Sequence, residues 1–140
     1  MIVMRFILLL SLCFLSTEVI FGQGQINNPD KVAPLQFKES KHDFGKIKKN
    51  IPVAYEFMFK NISNQPVNIE SAKAQCGCTT PVFPKSAVAK GDSDKVTITY
   101  NATNPGIFMK QVTINVAKYD KPFYLVVSGE VMPSAPQKEK

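Results

Sequence analysis

An all-β fold of two packed antiparallel sheets is predicted by three observations on this chain. Apolar and polar residues alternate with a period of two in one segment after another. Turn-forming clusters separate those segments about every 8 to 12 residues. No stretch beyond the N-terminal segment shows the i, i+3, i+4, i+7 recurrence of an amphipathic helix. About seven such strands in roughly 100 residues is the pattern of an immunoglobulin-like β-sandwich.

The first residues stand apart. Arg5 precedes an apolar run from Phe6 to Leu10 that continues through Leu12 to Leu15. A run of about ten apolar residues falls short of the roughly 20 that a spanning helix needs. Gly22 and Gly24 supply the small residues a signal peptidase accepts, so the segment 1–24 reads as a signal peptide cut near Gly22 to Gln25. Cys13 follows Leu12, whereas lipoprotein processing takes a small residue there, and Cys13 is read as a small apolar side chain within the run. The expectation is export to the periplasm or the extracellular space, with no transmembrane segment after cleavage.

Residues 25–34 are polar, with the turn cluster Asn27-Asn28-Pro29-Asp30, and read as a flexible leader. The domain is expected over 35–132. Leu35, Phe37 and Glu39 alternate with Gln36 and Lys38, and His42-Asp43-Phe44-Gly45 follows, which predicts one first strand with a bend or bulge near Gly45. Val53, Tyr55, Phe57 and Phe59 share one parity between Pro52 and Lys60, the clearest half-buried strand in the chain. Asn61 to Pro66 has turn chemistry, and Val67, Ile69 and Ser71 begin a strand that runs toward Cys76.

The stretch Val82 to Ala89 is broken by Pro84 and is excluded from a sheet centre, and Lys90-Gly91-Asp92 closes it. Val96, Ile98 and Tyr100 form the next strand, ended by Asn104-Pro105-Gly106. Phe108, Lys110, Val112, Ile114 and Val116 form another. A last turn is expected at Tyr119-Asp120-Lys121-Pro122, before a final strand through Phe123, Leu125, Val127 and Gly129. Residues 133–140 are polar and proline-containing and read as a disordered tail.

Charge narrows the function classes. The chain has a net charge of +6, but Arg5 is its one arginine and the lysines are scattered. Nucleic-acid binders concentrate basic groups on one surface and use bidentate arginines, so that class is excluded. The densest cluster, Lys46, Lys48 and Lys49, reads as a solvated strand edge guarded against unwanted pairing. Of three cysteines, Cys13 leaves with the signal, and Cys76 and Cys78 enter an oxidising compartment as a pair.

Taken together, His42-Asp43-Phe44-Gly45, the aromatic strand ending at Asn61, Cys76-Gly77-Cys78-Thr79 with Pro81, then Gly91, Tyr100, Pro105-Gly106 and Gly129-Glu130-Val131 resemble the domain of unknown function family 1573. The resemblance covers nearly the whole mature domain. It implies a secreted bacterial immunoglobulin-like domain, similar in architecture to cilium- and centrosome-associated sandwich domains and the major sperm protein fold, with no activity assigned. Lys90 stands where a proline is common before the hairpin glycine, and Phe83 where tryptophan is frequent. The motif carries over as Cys76, Gly77, Cys78, Thr79 and Pro81.

Three readings of that motif stay open. In the first it is structural: Gly77 adopts positive φ and draws the two Cα atoms within reach of a local disulfide, or both thiols pack reduced as small apolar groups. In the second, Cys76 and Cys78 are soft thiolates for Cu(I), joined by Met58 or Met109 only if folding brings these close. Zinc is poorly supported because His42 is the single histidine. In the third, the pair exchanges disulfides, although no helix end is available to activate a thiol.

Other groups carry less. His42-Asp43 lacks a nucleophile in an elbow, and Asp92 and Asp94 lack the calcium-loop pattern. Asn61-Ile62-Ser63 and Asn101-Ala102-Thr103 match glycan acceptor sites. The functional expectation is an exported, non-enzymatic immunoglobulin-like module that contacts a protein or envelope component and takes no cofactor. The alternative is a thiol-dependent envelope protein that binds Cu(I) or exchanges disulfides through Cys76 and Cys78.

Overall fold

The alternating segments become eight strands: β1 (Leu35–Phe37), β2 (Lys41–Lys48), β3 (Val53–Asn61), β4 (Ile69–Ala74), β5 (Thr79–Val82), β6 (Ser93–Tyr100), β7 (Gly106–Val116) and β8 (Tyr119–Met132). The computed structural model describes residues 33–133, so the expected signal peptide, nearly all of the leader and all but the first residue of the tail lie outside the described residues. Two four-stranded sheets form, in the orders β1-β3-β6-β5 and β2-β8-β7-β4. Their inner faces carry the parity the sequence marks as apolar, with Phe57, Ile98, Ile114 and Leu125 fully buried between them. Each such side chain stabilises the fold by roughly 1.5–3 kcal/mol relative to exposure.

Four details differ from the expected pattern of about seven antiparallel strands. The single first strand is two strands in different sheets: β1 pairs antiparallel with β3, and the chain then crosses so that β2 pairs parallel with β8. Alternation reports which face is buried and is blind to the sheet a strand joins. Val67 precedes β4 and forms an isolated bridge with Val88, each amide donating to the other carbonyl at 2.9 Å.

The short segment with Pro81 is strand β5, paired with β6 at a sheet edge, where a missing N–H is tolerated. The final turn lies at Ala117 and Lys118, since Val116 already pairs with Tyr119, and Lys118 takes the left-handed conformation at φ 61°. Pro122 sits within β8 at a register shift of the β7–β8 ladder, so a proline that reads as a turn is absorbed as a bulge.

The bulge expected near Gly45 is present. The β2–β8 register jumps from Asp43 opposite Ser128 to Lys46 opposite Glu130, so Phe44 and Gly45 face Gly129 alone. Gly45 has φ 63° and donates its N–H to the Asp43 carboxylate at 2.9 Å. A Cβ on Gly129 would lie 2.8 Å from the Gly45 carbonyl oxygen and 2.9 Å from the Phe108 ring. Both neighbours are fixed, one by backbone and one by a 4.0 Å stack on Tyr100. Gly129 is therefore the residue that lets the bulge close over the end of the core.

At the opposite end Asn61 is 1 % exposed and ties two loops together. Its Nδ2 donates to the carbonyls of Gln65 and Val88, at 2.8 and 2.9 Å, while its Oδ1 accepts from the Ser63 amide and hydroxyl, at 2.9 and 2.7 Å. Its backbone bonds the Gly91 turn, donating to Asp92 and accepting from Gly91.

Two outcomes are expected in denaturant unfolding. Gly129→Ala loses about 1–3 kcal/mol, because an inserted methyl meets atoms that cannot retreat. Asn61→Ala loses about 2–3 kcal/mol, because buried carbonyls and an amide are left unpaired.

Candidate functional site

The Cys-Gly-Cys stretch is the crossover between the sheets. β4 is an edge strand of one sheet and β5 of the other, and residues 75–78 carry the chain between them. Cys76 and Cys78 are joined as a disulfide with Cα atoms 5.3 Å apart. Gly77 is exposed and is not among the positive-φ residues, so the expected left-handed glycine is corrected: the turn reaches bridging distance with ordinary backbone, and a Cβ at Gly77 meets open space. The Thr79 amide donates to the Cys76 carbonyl at 3.3 Å, and the Asn101 amide to the Cys78 carbonyl at 3.0 Å.

The two sulfurs are unequal. Both cysteines are half-buried, but Cys78 packs against the cluster of Ile47, Tyr100, Ala102, Phe108 and Val131, and Cys76 does not. Thr79 is 4 % exposed, and its Oγ1 lies 3.8 Å from each sulfur. A bridged sulfur has no proton to give, so the hydroxyl is the donor to either. Pro81, last residue of the predicted motif, is in β5 opposite Ile98, away from the sulfurs in register.

The other predicted groups are dispersed. Met58 and Met109 are exposed on strands of opposite sheets, on the outward parity of each, and do not converge on the cysteines. Among the described residues no three His, Cys, Asp or Glu side chains gather where an ion would be held. His42 stacks on Tyr55 at 3.5 Å between ring centroids and meets Phe44 edge-on at 4.9 Å, so it closes the β2–β3 side of the sandwich. Tyr55 donates its hydroxyl to the Glu39 carboxylate, and that hydrogen bond, with slight desolvation and the carboxylate charge, holds the phenol above its ordinary range.

The acceptor-like Asn61 has both side-chain ends hydrogen-bonded in the interior, so its signature serves the fold. Asn101 is half-buried and accepts from the Thr103 amide at 3.3 Å. Phe83 packs on the core with Lys85 Nζ 3.6 Å above its ring. Lys90 donates to Asn64 Oδ1 at 2.9 Å across the loops.

One surface escaped the sequence reading. β4 pairs with β7 only from Val112 to Val116, and the ladder ends with the Gln75 amide on the Gln111 carbonyl. Among the described residues, Gly106 to Lys110 of β7 therefore have a neighbour on the β8 side alone. Ile107 and Met109 point outward there, 88 % and 72 % exposed. Alternation marks them as outward, but only the shortness of β4 shows that their backbone edge is open.

A family model described as "Protein of unknown function (DUF1573)" matches residues 35–131. The chain belongs to the DUF1573 family. The match spans all eight strands but the last residue of β8, so the matched region is this sandwich. No curated protein matches the DUF1573 chain. A protein of unknown function from Porphyromonas gingivalis W83 is similar in structure, with TM-score 0.61 and 15 % identity over 75 % of this chain and 51 % of that one.

The secreted serine protease VesC of Vibrio cholerae aligns with TM-score 0.57 and 17 % identity, over 76 % of this chain and 25 % of VesC. A PapD-like domain of human CEP192 aligns with TM-score 0.56 and 10 % identity, over 73 % of this chain and 87 % of that domain. At these identities the likeness shows the fold: an immunoglobulin-like, PapD-like sandwich. This DUF1573 chain spans about half the length of the Porphyromonas protein and a quarter of VesC. Among the described residues no helix is long and apolar enough to cross a membrane.

A bridge between residues two apart closes a very short loop, and chain entropy assigns it roughly 1.5–2 kcal/mol, against about 3 for a fifteen-residue loop. Cys76→Ser with Cys78→Ser is expected to lower unfolding free energy by no more than about 2 kcal/mol and to leave a cooperative transition, read by denaturant titration monitored at the tyrosines.

Proposed function

We propose that this chain is an exported, non-enzymatic immunoglobulin-like module that works by surface contact with a partner protein of the bacterial envelope or the extracellular space. The observation that carries the reading is the open stretch of β7. Ile107 and Met109 present apolar side chains on the same five residues whose backbone has, among the described residues, a strand on one side alone. Such an edge accepts an extended segment of another chain by main-chain pairing, with alternate side chains giving selectivity.

Two other edges, β2 and β5, are less suited. β2 carries Lys41, Lys46 and Lys48, charges that discourage strand addition, and β5 is four residues long with a proline. Glu130 of β8, with Asp43 and Lys46 beyond it on β2, gives the apolar pair a polar rim, the composition of a contact patch that is also compatible with free solution. The N-terminal segment with its apolar run supports export.

The test is a photo-activated cross-linking residue at position 109 of the full chain, in the source cells. A discrete adduct with one protein is expected, and Ile107→Glu reduces it at least tenfold. A control cross-linker at Lys95, on the other sheet, gives none. No adduct at 109, or an equal yield at 95, overturns the reading.

A further inference from the structure

We propose that the Cys76–Cys78 bridge is a thiol–disulfide exchange site whose ligand class is a dithiol, with Cys76 the sulfur that is attacked and Thr79 the residue that positions and stabilises the departing sulfur. The proposal is independent of the strand-addition reading, since a small dithiol is sufficient to engage it.

Geometry separates the roles of the two sulfurs. Exchange requires a thiolate to approach a sulfur from the side opposite its partner, and the approached sulfur must be accessible. Cys78 has the Tyr100–Phe108 end of the core against it, whereas Cys76 stands outside that cluster. Thr79 Oγ1, held in the interior and 3.8 Å from both sulfurs, is placed to donate to whichever becomes anionic.

The exchange balances as follows. One thiolate of the dithiol attacks Cys76 Sγ; the Cys76–Cys78 bond breaks and its electron pair leaves on Cys78 Sγ, beneath the Thr79 hydroxyl. A mixed disulfide now joins Cys76 to the dithiol. The second thiol gives its proton to water and attacks its own partner sulfur in the mixed disulfide, which releases Cys76 as a thiolate. The dithiol has lost two electrons and two protons and become a disulfide; Cys76 and Cys78 hold the two electrons as thiolates and take up two protons from water. One equivalent reacts per chain, so the site acts stoichiometrically, and any second round takes a disulfide as the oxidant that restores the bridge.

The surroundings permit this without unfolding. The crossover is bracketed by the β4–β7 and β5–β6 ladders and by the Asn101–Cys78 backbone bond, none of which includes a sulfur.

The experiment uses the full chain carrying Cys13→Ala, so that two thiols are counted. Millimolar dithiothreitol at pH 8 is expected to yield two maleimide adducts per chain by mass spectrometry, well below the unfolding midpoint. With glutathione disulfide as the probe, Cys76 in a Cys78→Ser chain should form its mixed disulfide at least tenfold faster than Cys78 in a Cys76→Ser chain. Thr79→Val should slow opening of the bridge about tenfold, and Thr79→Ser should restore the parent rate. Opening only in denaturant, a faster Cys78, or a Thr79→Val chain that opens at the parent rate would each overturn the proposal. Should Thr79→Val fail to fold, the comparison of the two single-cysteine chains still decides it.

Discussion

No strand ladder joins the two sheets among the described residues, so the sandwich is held by what its inner faces bury. Phe57, Phe59, Val96 and Ile98 from one sheet meet Val112, Ile114, Leu125 and Val127 from the other. This contact is non-directional, and by itself it would allow the sheets to slide. The register is fixed where the chain passes from one sheet to the other, at residues 38–40, 49–52, 62–68, 75–78 and 101–105. Each passage carries a specific polar or covalent device: the Lys38 amide on Met58, the Asn50 amide on Ala102, the Asn61 hub, the Cys76–Cys78 bridge and the Asn101 amide on Cys78. The apolar core supplies the cohesion and the passages supply the uniqueness.

Much of the core was legible because a two-residue period leaves the same trace whichever strand is the neighbour. Val53 to Phe59, Val96 to Tyr100 and Phe108 to Val116 place their buried residues on the parity read from sequence. Partnering was not legible. β1 and β2 read as one first strand with a bend yet lie in opposite sheets, and β2 runs parallel to β8. Turn signals also misled in one direction: Pro122 announces a turn and lies in a bulge, whereas Ala117-Lys118 turns the chain without glycine, asparagine or aspartate. Tertiary pairing on both sides of the hairpin carries the cost of the left-handed lysine.

The candidate site was legible in composition and not in geometry. Two cysteines around a glycine promise a tight turn, but the dihedrals that close it are not written in the residue types, and Gly77 closes it without positive φ. The role of Thr79 was hidden because a threonine opening a strand is unremarkable in sequence. Its burial between the sulfurs and the core follows from β5 pairing with β6, which sets Thr79 opposite Tyr100. Asn61 shows the converse. Its sequence signature points to a surface modification, and its burial assigns it to the interior.

The open segment of β7 and the bridged crossover have one origin. β4 stops at Ala74 because the chain must leave its sheet to start β5 in the other, and the bridge marks the point of departure. Had β4 continued along β7, Gly106 to Lys110 would be paired and Ile107 and Met109 would flank a closed ladder. A crossover made at that level exposes an edge and sets two sulfurs at its end. Among the described residues, the place where this sandwich gives up internal hydrogen bonds is thus the place where it presents apolar side chains, unpaired backbone and the bridged cysteines.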